Sequence, residues 1–341
     1  MKRYGAIDGL RAYAAIGIVM MHVMENGGYE IAGFIGKSMI PSFTDFVYLF
    51  MAISAFGLCC GYISRFENGS IDLESFYKKR FLKVLPFFSL LSVVDVVFSP
   101  SKEAVMELFA NITLLFGFLP NANISVIGVG WFLGVVFVFY ILFPFFTIML
   151  KSKKRAWFGF AVAVAYNILC TVYFMDTNHV IVGFSLRHNI VYCFVFFMAG
   201  GLIYLYRKKL EKINIWIATI VTLLSVVTYY LIGGNTFTCL FVSSSLLITA
   251  VRNSDSGKDS WGGILKNRFT IFVGGLSMEV YLCHMLFFRI LERMNLTRIC
   301  GNEIVSYAIT VVTVLIMSIV FSFVVKMFFE VSLKRLNRRV A

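Results

Sequence analysis

Charged side chains are scarce in this chain, and that scarcity excludes most soluble folds. Asp, Glu, Lys and Arg make up 14% of the 341 residues, whereas 59% are hydrophobic and 37 are phenylalanine. Soluble domains average about 25% charged and about 45–50% apolar residues. The composition therefore predicts a polytopic membrane protein.

Several functional patterns are also missing. The seven cysteines are odd in number and show neither a metal-ligand spacing nor a disulfide framework. The net charge is +13, but no basic and aromatic motif supports binding of nucleic acid. No polar loop is long enough to fold separately. We therefore expect a single membrane domain over residues 1–341, with no soluble domain, no metal site and a retained first span in place of a cleaved leader.

Ten apolar runs are long enough to cross a bilayer, which takes about 20 residues. They cover residues 7–24, 43–63, 81–99, 126–150, 156–175, 188–206, 213–232, 235–251, 269–292 and 304–329. The runs on either side of Gly233 could be two helices joined by a tight turn or one broken helix. Lys and Arg concentrate in alternate loops, and such loops face the cytoplasm. The pattern predicts an all-α bundle of about ten transmembrane helices with both termini cytoplasmic.

The first run contains two ionisable residues, Arg11 and His22. Eleven helical steps of about 100° place them on one stripe, about 16 Å apart along the axis. An ionisable side chain inside a membrane span is costly and usually faces a protein interior or a wet cavity. The first span is therefore expected to carry a functional polar seam.

The ninth run carries a second polar seam, formed by Ser277, Tyr281 and His284 at offsets of four and three. If both spans enter from the cytoplasm, His22 and His284 lie at about the same depth, about 22 Å along their helices. Matching depth indicates one shared site. The alternative is that each histidine is a satisfied interior residue that holds a helix contact.

Charged residues near the predicted cytoplasmic ends have two readings. Asp8 and Arg11 can pair on one helix or meet a ligand at the cytoplasmic mouth, or they can be a snorkelling pair. Lys79, Arg80 and Lys83 suit phosphate recognition, although an ordinary positive-inside cluster is favoured on charge alone.

Three further residues in the spans have bland readings that compete with a functional one. Ser54 shares a small-residue face with two glycines and is expected to serve helix packing. Trp131 reads as an aromatic packing or interface residue. Asp95 is an acidic membrane residue with no partner obvious from the sequence.

Four sequence blocks, taken in order, resemble the acyltransferase family 3 membrane proteins. The first is AIDGLRAYAAIGIVMMH, in which ten residues separate Arg11 from His22. LFMAISAFGL resembles the family's FFxxSGF block, FYKKRFLKVLP its RRxxRxxP block, and LSMEVYLCHMLFF its SYxxYLxH block. The four blocks span residues 7–288.

The resemblance implies an integral O-acyltransferase of the bacterial inner membrane that uses cytoplasmic acyl-CoA, usually acetyl-CoA, as donor substrate. No permanently bound cofactor is implied. The acceptor is typically a hydroxyl of a cell-envelope glycan or lipid-linked sugar on the other side. Carried over by position, His22 is the base or acyl-handling residue with Arg11 as its partner, Arg80 and Lys83 meet the CoA phosphates, and Ser277, Tyr281 and His284 line the site.

The chain departs from the family pattern at several positions. Val136 stands where many members carry Glu, Ala55 where Gly is common, and Met278 where a Tyr follows the serine; Lys83 replaces an Arg. A carboxylate role for the fourth span is therefore doubtful. Acyl transfer also needs an oxyanion donor, for which Tyr281, Ser54 and a protonated His284 are the candidates.

Two other functions remain open from the sequence. A proton-coupled transporter could relay protons through His22, His284 and Asp95. A silent scaffold in a glycan-assembly complex is supported only by the departures at Val136 and Met278. Ordered family blocks and the missing repeat favour the acyltransferase.

Overall fold

The computed structural model describes residues 4–119, 127–176, 178–180, 184–254 and 262–340. Within these ranges all regular secondary structure is helical, which confirms the predicted all-α class. Nine helical segments there are long and apolar enough to cross a membrane, and one helix pair bent by 74° makes ten if it counts as one span. The predicted membrane helix bundle is confirmed, while the orientation of its termini stays a prediction.

The main helices are numbered in chain order. Their bounds are α1 Gly5–Asn26, α2 Phe46–Glu67, α3 Leu73–Phe98, α4 Lys102–Thr113, α5 Trp131–Met149, α6 Lys153–Leu169, α7 Ile190–Leu210, α8 Ile215–Ile232, α9 Thr236–Asn253, α10 Arg268–Gly275, α11 Ser277–Arg293 and α12 Glu303–Val340. Each predicted run coincides with one long helix, except that the ninth run corresponds to the pair α10 and α11.

The ambiguous segment around Gly233 forms two helices. Helix α8 ends before Gly233, whose φ of +95° is a conformation that side chains other than glycine rarely adopt. Asn235 then caps α9 by accepting hydrogen bonds from the backbone N–H groups of Phe237 and Thr238. The Thr238 hydroxyl accepts one from the Asn235 N–H in return at 2.9 Å. This reciprocal cap starts a new helix directly after the turn.

Close backbone contact and stacked rings hold the centre of the bundle. A side chain at Gly200 on α7 would collide with the backbone carbonyl of Ala52 on α2. Such close approach drives helix association in a bilayer, where lipid is as apolar as the side chains. Phe139 on α5 stacks on Phe197 of α7 with ring centroids 4.0 Å apart. These contacts fix three of the helices that surround the site.

The ninth span is bent at Leu276, between α10 and α11. A side chain at Gly274 would collide with the backbone of Asp8, so α10 packs directly against the start of α1. The Lys326 ammonium on α12 donates a 2.7 Å hydrogen bond to the carbonyl of Gly275, a group near the break. The sequence predicted one continuous span because it shows neither this close contact nor the Lys326 bond.

The segment after α3 forms a short helix, α4, outside the predicted spans. Ser101 caps it by accepting a 2.9 Å hydrogen bond from the N–H of Ala104. Val105, Met106 and Phe109 are exposed on it. An amphipathic helix with such an apolar face is typical of a membrane interface.

Candidate functional site

Two histidines meet in the interior of the bundle. His22 lies on α1 and His284 on α11, and His284 is fully buried. Nε2 of His284 lies 3.1 Å from Nδ1 of His22, and the ring centroids are 5.0 Å apart. The structure therefore joins the two seams that the sequence placed at matching depth.

Hydrogen bonding determines which nitrogen of each neutral ring carries the proton. Nδ1 of His284 lies 2.6 Å from the carbonyl oxygen of Tyr281, which can only accept, so Nδ1 donates. Nε2 of His284 is then an acceptor, and Nδ1 of His22 donates to it. The proton of His22 is thereby held on Nδ1, and its Nε2 keeps a basic lone pair. A base oriented by a second group in this way is a recurring catalytic arrangement.

Tyr281 acts on this pair through its backbone. Its hydroxyl is buried and donates a 2.8 Å hydrogen bond to the carbonyl of Val129. The sequence offered the Tyr281 hydroxyl as an oxyanion donor, whereas the structure commits it to holding α11 against the start of α5. Ser54, another candidate donor, lines other cavities than the one beside His22.

A cavity of about 330 Å³ lies beside His22, and we call it the His22 cavity. Its volume is within the range of about 300–1,000 Å³ that is common for small-molecule sites. Asn26, near the end of α1, donates a 2.8 Å hydrogen bond to the His22 carbonyl at its rim. Polar residues dominate the wall: His22, Asn26, Asp95, Trp131, Arg187, His188 and Arg289.

A second cavity, the Arg80 cavity, lies at the other end of α1 and has a volume of about 440 Å³. Arg80 donates a 2.6 Å hydrogen bond to the hydroxyl of Tyr62, and its guanidinium carbon lies 4.9 Å from that ring's centroid. The Nε atoms of Arg80 and Arg11 are buried without a hydrogen-bond partner in the described part of the chain. Asp8, Arg65 and Lys83 also line this cavity. Unpaired guanidinium donors of this kind suit an anionic ligand such as a phosphate.

A small middle cavity of about 70 Å³ connects the two. It shares Arg11, Ser54 and Lys83 with the Arg80 cavity and Leu282 with the His22 cavity. The three cavities therefore follow one another along α1. Arg11 and His22, on one stripe of the helix, lie at successive stations of this path.

The middle cavity contains a carboxylate that the sequence analysis did not single out. Glu279 is buried on α11, with its carboxylate 3.8 Å from the Lys326 ammonium. Val136, which stands where many family members carry Glu, lines the same cavity from α5. Glu279 lies off the seam of Ser277, Tyr281 and His284, so helical spacing alone did not select it.

The other predicted site residues are distributed along the path. Ser277 lines the middle cavity, and Trp131 lines the His22 cavity. Lys79 is exposed and lines none of the described cavities. Asp95, the sequence's candidate proton relay, receives a 3.1 Å hydrogen bond from Arg289. It is therefore held in an ion pair on the wall of the His22 cavity.

Arg187 and His188 were missed as site residues. They form a helical turn just before α7 and line the His22 cavity beside Trp131. The His188 ring stacks near Trp131 with centroids 4.6 Å apart. Burial, with the neighbouring Arg187 guanidinium, lowers the pKa of His188 to about 4. The only sequence signal was a basic pair on the side where basic residues are rare, which indicates no particular partner.

Comparison with known proteins agrees with this architecture. A family model described as an acyltransferase domain, that of acyltransferase family 3, matches residues 4–327. Proteins named "Putative O-acetyltransferase" from Staphylococcus aureus strains COL, MSSA476 and MRSA252 are each 24% identical to 52% of this chain, over 207 residues. The match spans 31% of the length of those relatives. No solved structure matches the chain. Because the family model covers almost the whole sequence, this chain belongs to acyltransferase family 3.

Proposed function

We propose that this protein is a membrane O-acyltransferase that moves an acetyl group from acetyl-CoA to a sugar hydroxyl. The donor binds in the Arg80 cavity, and a glycan or lipid-linked sugar presents its hydroxyl in the His22 cavity. The observation that carries this proposal is the pair of His22 and His284, joined by the middle cavity to a cavity rich in cations. The relatives named as O-acetyltransferases support the type of group transferred.

The Arg80 cavity has the chemistry to hold the phosphates of CoA. Arg80 and Lys83 line it on α3, and Arg11 lines it from α1. Arginine offers a planar fork of donors to phosphate, and lysine adds a point charge. The pantetheine arm of the donor is uncharged and extends through the narrow middle cavity, which brings its thioester towards His22. Lys79 stays outside this contact, where its charge attracts the anionic donor to the mouth.

The reaction then needs a base and an attacking hydroxyl. Nε2 of His22 takes the proton of the acceptor hydroxyl, and the oxygen attacks the thioester carbonyl carbon. The tetrahedral intermediate collapses as the carbon–sulfur bond breaks, the ester forms, and the CoA thiolate receives the proton from His22. His284 orients His22 and accepts the hydrogen bond of Nδ1 throughout. Imidazole suits both proton transfers because its ordinary pKa lies near neutrality.

The placement of the cavities suits transfer across the bacterial inner membrane. The Arg80 cavity lies at the end of α1 where basic loops concentrate, which is the predicted cytoplasmic side. The His22 cavity lies towards the opposite end. Donor and acceptor would thus enter from different sides and meet at one base.

The test is acetyl-CoA turnover by protein purified into lipid nanodiscs, followed by release of the CoA thiol. His22→Gln should reduce the rate by about 10²–10⁴-fold, the usual contribution of a general base. His179→Gln is the matched control, because His179 is exposed and pairs with Asp176 away from the cavities. Retention of full activity by His22→Gln, with its fold intact, would refute the proposed role.

A further inference from the structure

The His22 cavity contains more positive than negative charge. Three charged residues line it: Asp95, Arg187 and Arg289. Asp95 and Arg289 neutralise one another at 3.1 Å. The cavity is thus left with the charge of Arg187.

Arg187 has no carboxylate partner within the described ranges. Its Nη1 donates a 2.9 Å hydrogen bond to the hydroxyl of Thr44, and its guanidinium carbon lies 5.2 Å from the centroid of the Trp131 ring. The carboxylate of Asp45, next to Thr44, is engaged by the Tyr229 hydroxyl at 2.6 Å and by the Cys239 thiol at 3.4 Å. The contacts of Arg187 hold its guanidinium in place without neutralising it.

The histidines of the cavity do not supply a compensating charge. His188 is neutral near pH 7 because its pKa is about 4. His22 and His284 form a hydrogen-bonded neutral pair. A half-buried guanidinium with no counter-ion is costly at the edge of a membrane span. Such a group is favoured where a ligand brings the missing negative charge.

We infer that the acceptor carries an anionic group, a carboxylate or a phosphate on the sugar, which Arg187 recognises while a neighbouring hydroxyl reaches His22. Arg187 is then a specificity-determining residue for the acceptor. Thr44 leaves the remaining N–H groups of the guanidinium free to grip two oxygens of one anion. This inference rests on the proposed function, since it assumes that the His22 cavity receives the acceptor.

A competing role for Arg187 is stabilisation of the oxyanion of the thioester. An oxyanion donor would accelerate transfer to every acceptor alike, charged or neutral. Anion recognition instead changes the ratio between the two kinds of acceptor. The ratio therefore separates the two roles.

The experiment compares matched sugars on protein in phosphatidylcholine nanodiscs. Methyl glucuronide is paired with methyl glucoside, and glucose 1-phosphate with glucose, so that the arms distinguish a carboxylate from a phosphate. Binding of each sugar and its acetylation are both measured for the wild type, Arg187→Gln, Arg187→Lys and Arg293→Gln. Arg293 is the control because it contacts Ser99 near the same end of the bundle without lining the cavity.

We expect the wild type to bind at least one anionic sugar about tenfold or more tightly than its neutral partner, as a charge-assisted pair allows. Arg187→Gln should remove that preference with little change in binding of the neutral sugar, Arg187→Lys should keep part of it, and Arg293→Gln should keep all of it. Equal binding of anionic and neutral sugars by the wild type would overturn the inference. So would an Arg187→Gln variant that keeps the preference or loses acetylation of both kinds of sugar equally.

Binding and turnover also keep the two proposals apart. If the anionic preference depends on Arg187 but no CoA thiol is released, the proposed function fails and the recognition stands. If thiol is released in a manner that depends on His22 while the preference is absent, the recognition fails and the proposed function stands.

Discussion

Replacing Arg80 with glutamine should raise the KM for acetyl-CoA strongly and change kcat little. The guanidinium is fixed by its 2.6 Å bond to Tyr62 and keeps a buried Nε without a protein partner among the described residues. A hydrogen bond to a charged group contributes about 1.5–3 kcal/mol. Since 1.4 kcal/mol corresponds to a factor of ten, losing one such phosphate contact should raise KM about 10- to 150-fold. Steady-state thiol release at varied acetyl-CoA concentration measures both constants.

Two further variants make this prediction specific. Lys79→Gln removes the same charge from the neighbouring residue of α3, and because Lys79 lines no described cavity, its KM should change by less than about threefold at moderate salt. Arg80→Lys keeps the charge without the fork and should give an intermediate KM. An unchanged KM in Arg80→Gln, or equal effects at positions 79 and 80, would show that the cluster serves topology alone.

The other predictions concern the groups around His22. Tyr281→Phe should lower the melting temperature, because the buried Val129 carbonyl loses its donor at a cost of about 1–3 kcal/mol, yet kcat should stay within about threefold; a fall of 10² or more would restore the hydroxyl as oxyanion donor. His284→Leu should lower kcat by about 10²-fold through misplacement of His22, while His284→Gln, whose amide oxygen can accept from Nδ1, should recover part of it; equal rates in both variants would contradict the positioning role. His188 has a pKa of about 4 through burial and Arg187, so it gains its proton only well below neutral pH. His188→Gln should therefore leave the shape of the pH–rate profile unchanged between about pH 5.5 and 8, and loss of an acid limb there would show that His188 is charged.

Much of the architecture could be predicted from the sequence because membrane spans follow a simple rule. Only helices satisfy their own backbone within lipid, so an apolar run of sufficient length predicts a helix. The bend at Leu276 escaped this rule, since it depends on the close contact of Gly274 with Asp8 and on the Lys326 bond. Those partners lie far apart in the sequence.

The candidate site was only partly predictable for a related reason. Residues on one helical face, such as Arg11 with His22 or Tyr281 with His284, follow from spacing alone. That His22 bonds His284 and that the Tyr281 hydroxyl bonds Val129 are facts of packing between helices. Arg187 lies in a turn, where no periodicity indicates which cavity a side chain enters. The ion pair of Asp95 and Arg289 likewise joins two helices that the sequence does not place together.

The central claim is that donor and base are reached from opposite ends of one path. Single cysteines at Gly57 and Asn26, in a cysteine-free background, report on the two ends, since both residues are exposed and line the Arg80 and His22 cavities respectively. In sealed vesicles, a membrane-impermeant maleimide should modify position 57 only from the cytoplasmic face, with protection by acetyl-CoA. It should modify position 26 only from the other face, with no such protection. Modification of both positions from the same face, or protection of neither position by acetyl-CoA, would contradict the account.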